Sequence, residues 1–386
     1  MTESAKGRET GPQLSRRKLL KTGALAAPLA LAGCDCAERC GAAAPAITGR
    51  AVRSRELKMV TTWPKDFPGL GDAAERTAEF ITQMSGGALR VRVFAAGELV
   101  GAFDAFDTVS GGAADLYHGA DYYWTGKSRA YPFFTAVPFG MTAVEQMGWT
   151  EAGGGQQLWD ELAAQFRIKP FAAGNTGHQM GGWFREEIET LDDLRGLVIR
   201  MPGLGGEVMR RAGASPVNIP GGDLYQSLQS GRIDATEWVG PWNDLAFGFY
   251  REAEYYYWPG FHEPSAQLSI GLNLDVWEDM TLQERAIIEN AARAANHLSL
   301  AEYATRNARA LEVLVEEHGV KLRRMPRDVL DALAQATREV LDEVAASSEI
   351  AGRIAESYRS SMRRSAAWNT VADEAYLAAR RRSFDL

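Results

Sequence analysis

Between Leu57 and Leu274 short strand-forming runs alternate with helix-forming ones, and that alternation restricts the fold more than any other feature of the chain. Leu57-Lys-Met-Val-Thr-Thr62 reads as a strand that Trp63-Pro64 ends. Ala73, Thr77, Phe80, Ile81 and Met84 then recur at helical spacing, with Asp72 as the expected N-cap and Ser85-Gly86-Gly87 as the stop. Leu89–Phe94 alternates with period two, Phe103–Ser110 suggests a helix, and Ala114–His118 a further strand. A second unit of the same kind follows. Its expected strands are Phe166–Ala173, Leu197–Met201, Ser215–Ile219 and Ile233–Val239. Helices are expected at 205–212 and 223–229, with a short capped one from Thr190 to Gly196 and Gly231 as a C′ residue. Gln267–Leu274 would carry the chain back to the first unit, while Tyr255-Tyr-Tyr-Trp258 reads as core or hinge packing. From Thr281 onward the pattern is helical to the end, broken near Gly319, Pro326 and Ser347-Ser348, with one long helix expected over 282–317.

These runs predict an α/β protein with mostly parallel sheets, two lobes joined by crossing hinge strands, and a helical C-terminal segment. Lobe I is expected over 54–168 with 267–305, lobe II over 169–266, and the helical segment over 306–386.

Residues 1–46 read as an export leader. Ser15-Arg-Arg-Lys-Leu-Leu20 is a twin-arginine pattern, and Gly23–Gly33 is an apolar run without acids, well short of the roughly twenty residues a membrane span needs. Leu31-Ala-Gly-Cys34 reads as a lipoprotein cleavage box that would make Cys34 a lipidated first residue; cleavage after Ala44 or Ala46 is the alternative. The three cysteines (Cys34, Cys36, Cys40) all lie in this leader, so the globular part must be stable on core burial alone. The leader also hides the true charge. Its seven basic and four acidic residues leave 35 Lys/Arg against 46 Asp/Glu, a net of −11, which argues against nucleic acid as a partner.

An acidic protein that captures an anion needs its positive charge placed locally, and Arg200 is so placed. It ends a strand just before Pro202 and the glycine-rich start of a helix, where a guanidinium fork suits a small carboxylate. A lone arginine can instead be an ion-pair residue that stabilises its lobe. Glu237-Trp238 ends another short run, and Asn175 and Gln179 follow the strand that opens the second unit. Tyr122 and Tyr123 follow a first-unit strand. All fall at strand ends, where open α/β sheets bind ligands, and convergence from both units would make a cleft. Glu237 and Glu263 have two readings. They are solvated acids, or, with Gln179, they ligate a hard cation such as Na⁺ or Ca²⁺ that lets two carboxylates face an anionic ligand. Trp238 is core or a cleft wall, Asn175 a turn residue or a ligand contact, and Tyr123 packing or a ligand contact.

Enzyme motifs are weak by comparison. Gly203-Leu-Gly-Gly206 lacks the spacing of a dinucleotide fingerprint, and no phosphate-binding loop is present. His262-Glu263 resembles the start of a zinc-protease motif, but position 266 is Ala.

The segments Ala173–Gly177, Gly181–Phe184, Arg200–Gly206, Asp234–Asn243 and Trp258–Pro264 together resemble the solute-binding proteins of TRAP (tripartite ATP-independent periplasmic) transporters, and most of all their 2-oxoacid-binding branch. The resemblance spans about Leu57 to Leu377 and implies the two-lobed periplasmic solute-binding fold. It also implies an extracytoplasmic receptor that captures a small 2-oxo or 2-hydroxy monocarboxylate such as pyruvate. Ligand contacts to both lobes would favour a closed form, which delivers the ligand to membrane permease subunits. By the same resemblance Arg200 holds the substrate carboxylate, while Gln179, Glu237, the Trp238 carbonyl and Glu263 hold the metal. His178, beside Gln179, departs from the pattern and would alter cleft polarity. The apolar residues Ile350, Ile354, Tyr358, Met362, Trp368, Val371, Tyr376 and Leu377 exceed what an exposed tail needs. They are expected to pack on the lobes or on a second protomer, and the resemblance tips this toward a homodimer. The rival readings are an exported, cation-dependent, lyase-like enzyme acting on oxoacids, and a sensory binding lipoprotein without a transport role.

Overall fold

The computed structural model describes residues 53–384; the twin-arginine pattern and Cys34 lie outside them. In chain order the strands are β1 (Arg55–Thr61), β2 (Leu89–Phe94), β3 (Leu116–Gly119), β4 (Ile168–Asn175), β5 (Gly182–Phe184), β6 (Val198–Arg200), β7 (Ser215–Val217), β8 (Ala235–Thr236), β9 (Tyr255–Trp258), β10 (Gln267–Asn273) and β11 (Lys321–Arg324). They form two sheets, one ordered β2-β1-β3-β10-β4 and the other β11-β9-β5-β8-β6-β7. Strands β4 and β10 run antiparallel side by side, with Gln267 opposite Asn175, so the chain leaves and re-enters the first sheet through neighbouring strands.

Several expectations need correction. Both sheets are mixed: β10 is antiparallel to β3 and β4, and β5 is antiparallel to β8 and β9. The aromatic run at 255–258 does pack in the core through Tyr256 and Tyr257, and it does so as strand β9, whose Tyr256 stacks on Trp183 of β5 with ring centroids 4.0 Å apart. The C-terminal third is not wholly helical, because Lys321–Arg324 adds β11 in parallel beside β9. Its four residues are all charged or partly exposed, and a polar edge strand has no apolar alternation to announce it. Asp72 is not the N-cap of the helix Leu70–Met84; Gly69 is, at φ 73°, and Asp72 reaches back to accept the Gly69 N–H at 2.9 Å.

Parallel strands end at the same edge of a sheet, and this is what gathers the polar residues. In the first sheet β1 and β3 run parallel, so Trp63 beyond β1 and the turn Asp121–Trp124 beyond β3 share one edge. In the second sheet β6 and β8 run parallel with Arg200 beside Thr236, which places Arg200 and Glu237 side by side. The Glu237 N–H donates to the Arg200 carbonyl at 3.2 Å, continuing the ladder one residue further.

Two helical elements span both sheets. The helix Leu282–Glu312 packs on β4 and the helix Leu70–Met84 at one side and on the helix Pro241–Phe247 at the other. At the C-terminus, the helix Arg327–Ala346 packs on the helix Gly203–Arg211 that follows Arg200. The next helix, Glu349–Val371, packs on Ala143–Ala152 and Gly155–Ala164 of the first half. Tyr358 anchors it, lying edge-on to Trp149 and accepting the Met141 N–H at 2.8 Å. The apolar C-terminal residues therefore divide: Ile354 and Tyr358 are buried, whereas Trp368, Val371 and Tyr376 are about two-thirds exposed (67%, 70% and 65%).

Asp121 pins the turn that carries Tyr122 and Tyr123. Its buried carboxylate accepts from Ser269 on β10 at 2.5 Å, Trp159 at 2.8 Å and Tyr117 at 3.3 Å. Burial nevertheless raises its pKa to about 6, because three neutral donors do not replace full hydration. The native state then binds this proton more tightly than the unfolded chain does. The resulting stability is complete below about pH 4 and is lost as pH rises through about 6. Asp121→Asn removes that titration. Urea unfolding of both proteins from pH 4 to 7 should show the wild type losing about 3 kcal/mol relative to the variant over this range.

Candidate functional site

Trp63, Tyr122 and Tyr123 from the first sheet's edge face Gln179, Trp238 and Val239 from the second half across a small cavity. Its volume is about 10 Å³, scarcely room for one water molecule. Trp238 is a wall, 3% exposed, with its ring edge-on to Trp63 and Phe67 at 6.5 and 6.0 Å between centroids. Position 221 must be glycine for this wall to stand, since a Cβ there would lie 2.4 Å from the indole. Trp63 is fixed in turn by His118, whose Nδ1 accepts the indole N–H at 2.8 Å. Burial lowers the His118 pKa to about 4, so the ring is a neutral acceptor at physiological pH.

Behind Trp238 lies the charged centre. Arg200, wholly buried, donates through Nη1 to Glu237 Oε1 at 2.5 Å and through Nε to the Ile219 carbonyl at 3.2 Å. Its Nη2 faces the Tyr123 hydroxyl at 3.4 Å, and the guanidinium carbon lies 5.0 Å from the Trp238 ring centre. Burial alone would lower its pKa, but Glu237 and the two tyrosines outweigh that and hold the guanidinium above its ordinary value. The other Glu237 oxygen, Oε2, meets His262 Nε2 at 3.2 Å. Glu263 accepts from the Gln179 amide at 2.8 Å. Burial first, and the Glu237 charge second, push the Glu263 carboxyl well above the usual carboxylate range, with Arg200, Tyr122 and Gln179 pulling the other way.

One guanidinium thus faces two buried carboxyls, and keeping both ionised calls for a second positive charge. The donor set suits a hard cation. Glu237, His262 and Glu263 offer ligand atoms within 4.8 Å of one another, and Gln179 Oε1 is buried without a partner. Carboxylate and amide oxygens, with the Trp238 carbonyl next to Glu237, are what Na⁺ or Ca²⁺ takes.

The expected residues therefore come together with three differences. Arg200 is already paired with Glu237 and does not line the cavity. Asn175 is buried off the cavity wall with Oδ1 on the Gly177 N–H and its backbone tied to Ser299, while its Nδ2 has no partner. His178 is exposed and leaves the cleft's polarity alone. Two contributors escaped sequence reasoning. His262 was dismissed for lacking a second histidine. Asp244 carries no motif, yet it accepts from Trp183, Tyr256 and the Val239 N–H at 3.0, 2.6 and 3.3 Å and so fixes the backbone beside Trp238. Burial raises its pKa to about 7 against those three donors.

Residues 59–348 match the bacterial extracellular solute-binding proteins of family 7. The chain is 35% identical, over 94% of its length and 98% of the relative's, to the monocarboxylate 2-oxoacid-binding periplasmic protein of Nostoc. It resembles a TRAP periplasmic solute-binding protein from Pseudoalteromonas atlantica solved with bound sodium and pyruvate (39% identity, TM-score 0.82, covering 84% of this chain and 99% of that one). It likewise resembles a TRAP solute-binding protein from Bordetella bronchiseptica, a mixed-occupancy dimer with calcium and picolinate in its site (34% identity, TM-score 0.83, 86% and 99%). A family match over three-quarters of the sequence, joined to a two-sheet fold with its polar residues on facing sheet edges, means that this chain belongs to the bacterial extracellular solute-binding proteins of family 7.

Proposed function

We propose that the protein is the extracytoplasmic receptor of a TRAP transporter, capturing a small 2-oxo monocarboxylate such as pyruvate together with Na⁺ or Ca²⁺. The observation that carries this reading is the buried cluster of one arginine against two glutamates, with an orphaned Gln179 oxygen beside them. An anionic ligand added to that cluster without a cation would leave it with excess negative charge in a dry site. Gln179, Glu237, Glu263 and the Trp238 carbonyl would hold the cation, whose charge lets a carboxylate approach. Arg200 would grip that carboxylate, with Tyr123 and Trp238 nearest it and the unpartnered Asn175 Nδ2 as a further donor. Pyruvate-bound and cation-bound relatives support the same assignment.

Capture would proceed by closure of the two halves over the ligand. Arg129–Glu207 at 2.5 Å and Asn243 Nδ2 to the Pro68 carbonyl at 2.7 Å join them beside the cleft. The closed, loaded protein would deliver its ligand to membrane permease subunits unchanged, as a receptor and not a lyase. Among the described residues no helix is long and apolar enough to cross a membrane. Export by the twin-arginine route, with Cys34 as a lipid anchor, is part of the proposal. So is a homodimer, because the exposed apolar residues on Glu349–Val371 and Asp373–Phe384 suit a second copy of this face.

Calorimetry with pyruvate should give one-to-one binding in Na⁺ or Ca²⁺ and return intact pyruvate after denaturation; turnover would favour the lyase. Arg200→Lys keeps the charge but loses the fork, and should weaken pyruvate at least about tenfold. An unchanged affinity would remove Arg200 from the site. Truncation after residue 364 should convert a dimer to a monomer in analytical ultracentrifugation without loss of binding.

A further inference from the structure

We propose that Glu237 is an internal stand-in for the ligand carboxylate on Arg200, and that His262 is the positioning residue that steadies Glu237 when this pairing is given up. The inference rests on the carboxylate-and-cation reading above and concerns how the two ligands become coupled.

The geometry states the conflict directly. Arg200 offers Nε, Nη1 and Nη2; Nε is held by the Ile219 carbonyl, and Nη1 by Glu237 twice, through Oε1 at 2.5 Å and the backbone carbonyl at 3.3 Å. Only Nη2 is loosely engaged, by the Tyr123 hydroxyl at 3.4 Å. A forked grip on an incoming carboxylate needs two parallel N–H donors, so the ligand must replace Glu237 at Nη1. A carboxylate on the same wholly buried guanidinium is a strong competitor. Displacing it without compensation would leave Glu237 ionised, dry and short of a partner.

Compensation is built from two sides. Gln179 and Glu263 supply the remaining oxygens of the proposed cation site, so a cation held there can take over the charge of Glu237. His262 secures the other oxygen: Nε2 lies 3.2 Å from Glu237 Oε2, both side chains being 1% exposed. As Glu237 Oε2 is an acceptor, Nε2 carries the proton, and Nδ1 is the buried, unpartnered ring nitrogen. His262 is itself wedged. A Cβ on Gly205, in the helix that follows Arg200, would sit 2.8 Å from His262 Cβ, so the helix packs directly against the base of this side chain. Glu237 is thus anchored at one oxygen and exchangeable at the other. Cation and carboxylate favour each other because each removes half of the same ion pair, and such coupling must be reciprocal.

The test is pyruvate affinity by calorimetry, with Ca²⁺ and in chelator with choline replacing sodium. Wild type should bind about tenfold or more tightly with Ca²⁺ than without. In Glu237→Gln the competitor is neutral. Cation-free affinity should then exceed wild type by about tenfold while the Ca²⁺ effect disappears. Glu263→Gln should lose the Ca²⁺ effect without the cation-free gain. If Glu237→Gln binds no better than wild type without cation, Glu237 is only a cation ligand and the proposal fails. If wild type binds no 2-oxoacid even with Ca²⁺, the reading beneath it fails as well. His262→Leu and His262→Gln leave the Arg200–Glu237 pair intact should Glu237→Gln not fold. Leu should raise the Ca²⁺ concentration for half-saturation at fixed pyruvate by about tenfold, and Gln, which keeps a donor, should restore it. Equal behaviour of the two would reduce His262 to packing and overturn its role.

Discussion

The Arg200–Glu237 ion pair is the interaction around which the rest of the site is arranged, and it follows from strand direction. Because β6 and β8 run parallel as neighbours, their last residues emerge at one edge, one residue out of step. A cation and an anion placed there meet without any long-range coincidence. Burying such a pair gives little net stability, since desolvation offsets most of the Coulombic gain. Its presence at the end of two strands, behind a cavity, is better explained by binding than by folding. The neighbouring Glu263, whose carboxyl is held out of its ordinary range by burial and by Glu237, makes the same point.

The aromatic residues act on this centre by excluding water. Trp63, Phe67 and Trp238 meet edge-on from opposite halves, and the Tyr123 hydroxyl lies 3.4 Å from Arg200 Nη2. All but Phe67 are fixed by a polar contact one layer back: Trp63 by His118, the tyrosine turn by Asp121, and the backbone beside Trp238 by Asp244. The fixing groups are uncharged or tuned by burial, with the His118 pKa near 4 and the two aspartates near 6 and 7. A ligand carboxylate entering this enclosure would meet one guanidinium and little water, where its electrostatic interactions are stronger than at the surface.

Much of this was legible in the sequence, and the remainder was hidden for identifiable reasons. Long periodic segments announced themselves: the expected helix over 282–317 is the helix Leu282–Glu312 continued by a wider turn to Glu317. Arg200, Gln179, Glu237 and Trp238 are singled out by residue type and strand-end position, and Glu263 by its residue type and the family resemblance; the fold brings the five together. Strand β11 was missed because an exposed edge strand of Lys, Leu and Arg has no apolar period. Asp244 and His118 act through buried hydrogen bonds to residues 61 and 55 positions away, a separation no local pattern reports. The pairing of Arg200 with Glu237 required the strand order as well as the residues. Parallel neighbours β6 and β8 are separated in sequence by β7 and by the helices Gly203–Arg211 and Leu224–Gln229, and only the sheet brings them together.

A cleft between halves is useful only if the halves can part without losing register. The first half is tied to the second by the paired strands β4 and β10, by the helix Leu282–Glu312 and by the C-terminal helices. Strands and a long helix resist stretching but bend readily where few side chains pack across them. The C-terminal helices differ, since one packs on the helix following Arg200 and the next on the opposite half, with only Ser347 and Ser348 between them. Any rotation that opens the cleft must therefore be taken up at that two-residue joint or by sliding at one helix contact. Polar contacts, Arg129 to Glu207 and Asn243 to Pro68, join the halves beside the cleft, and the buried rings of Trp63, Phe67 and Trp238 meet across it, so opening would cost those aromatic contacts as well. On the proposed reading, a small anionic ligand that contacts the buried charges of both halves would add to these aromatic contacts in favour of the closed form.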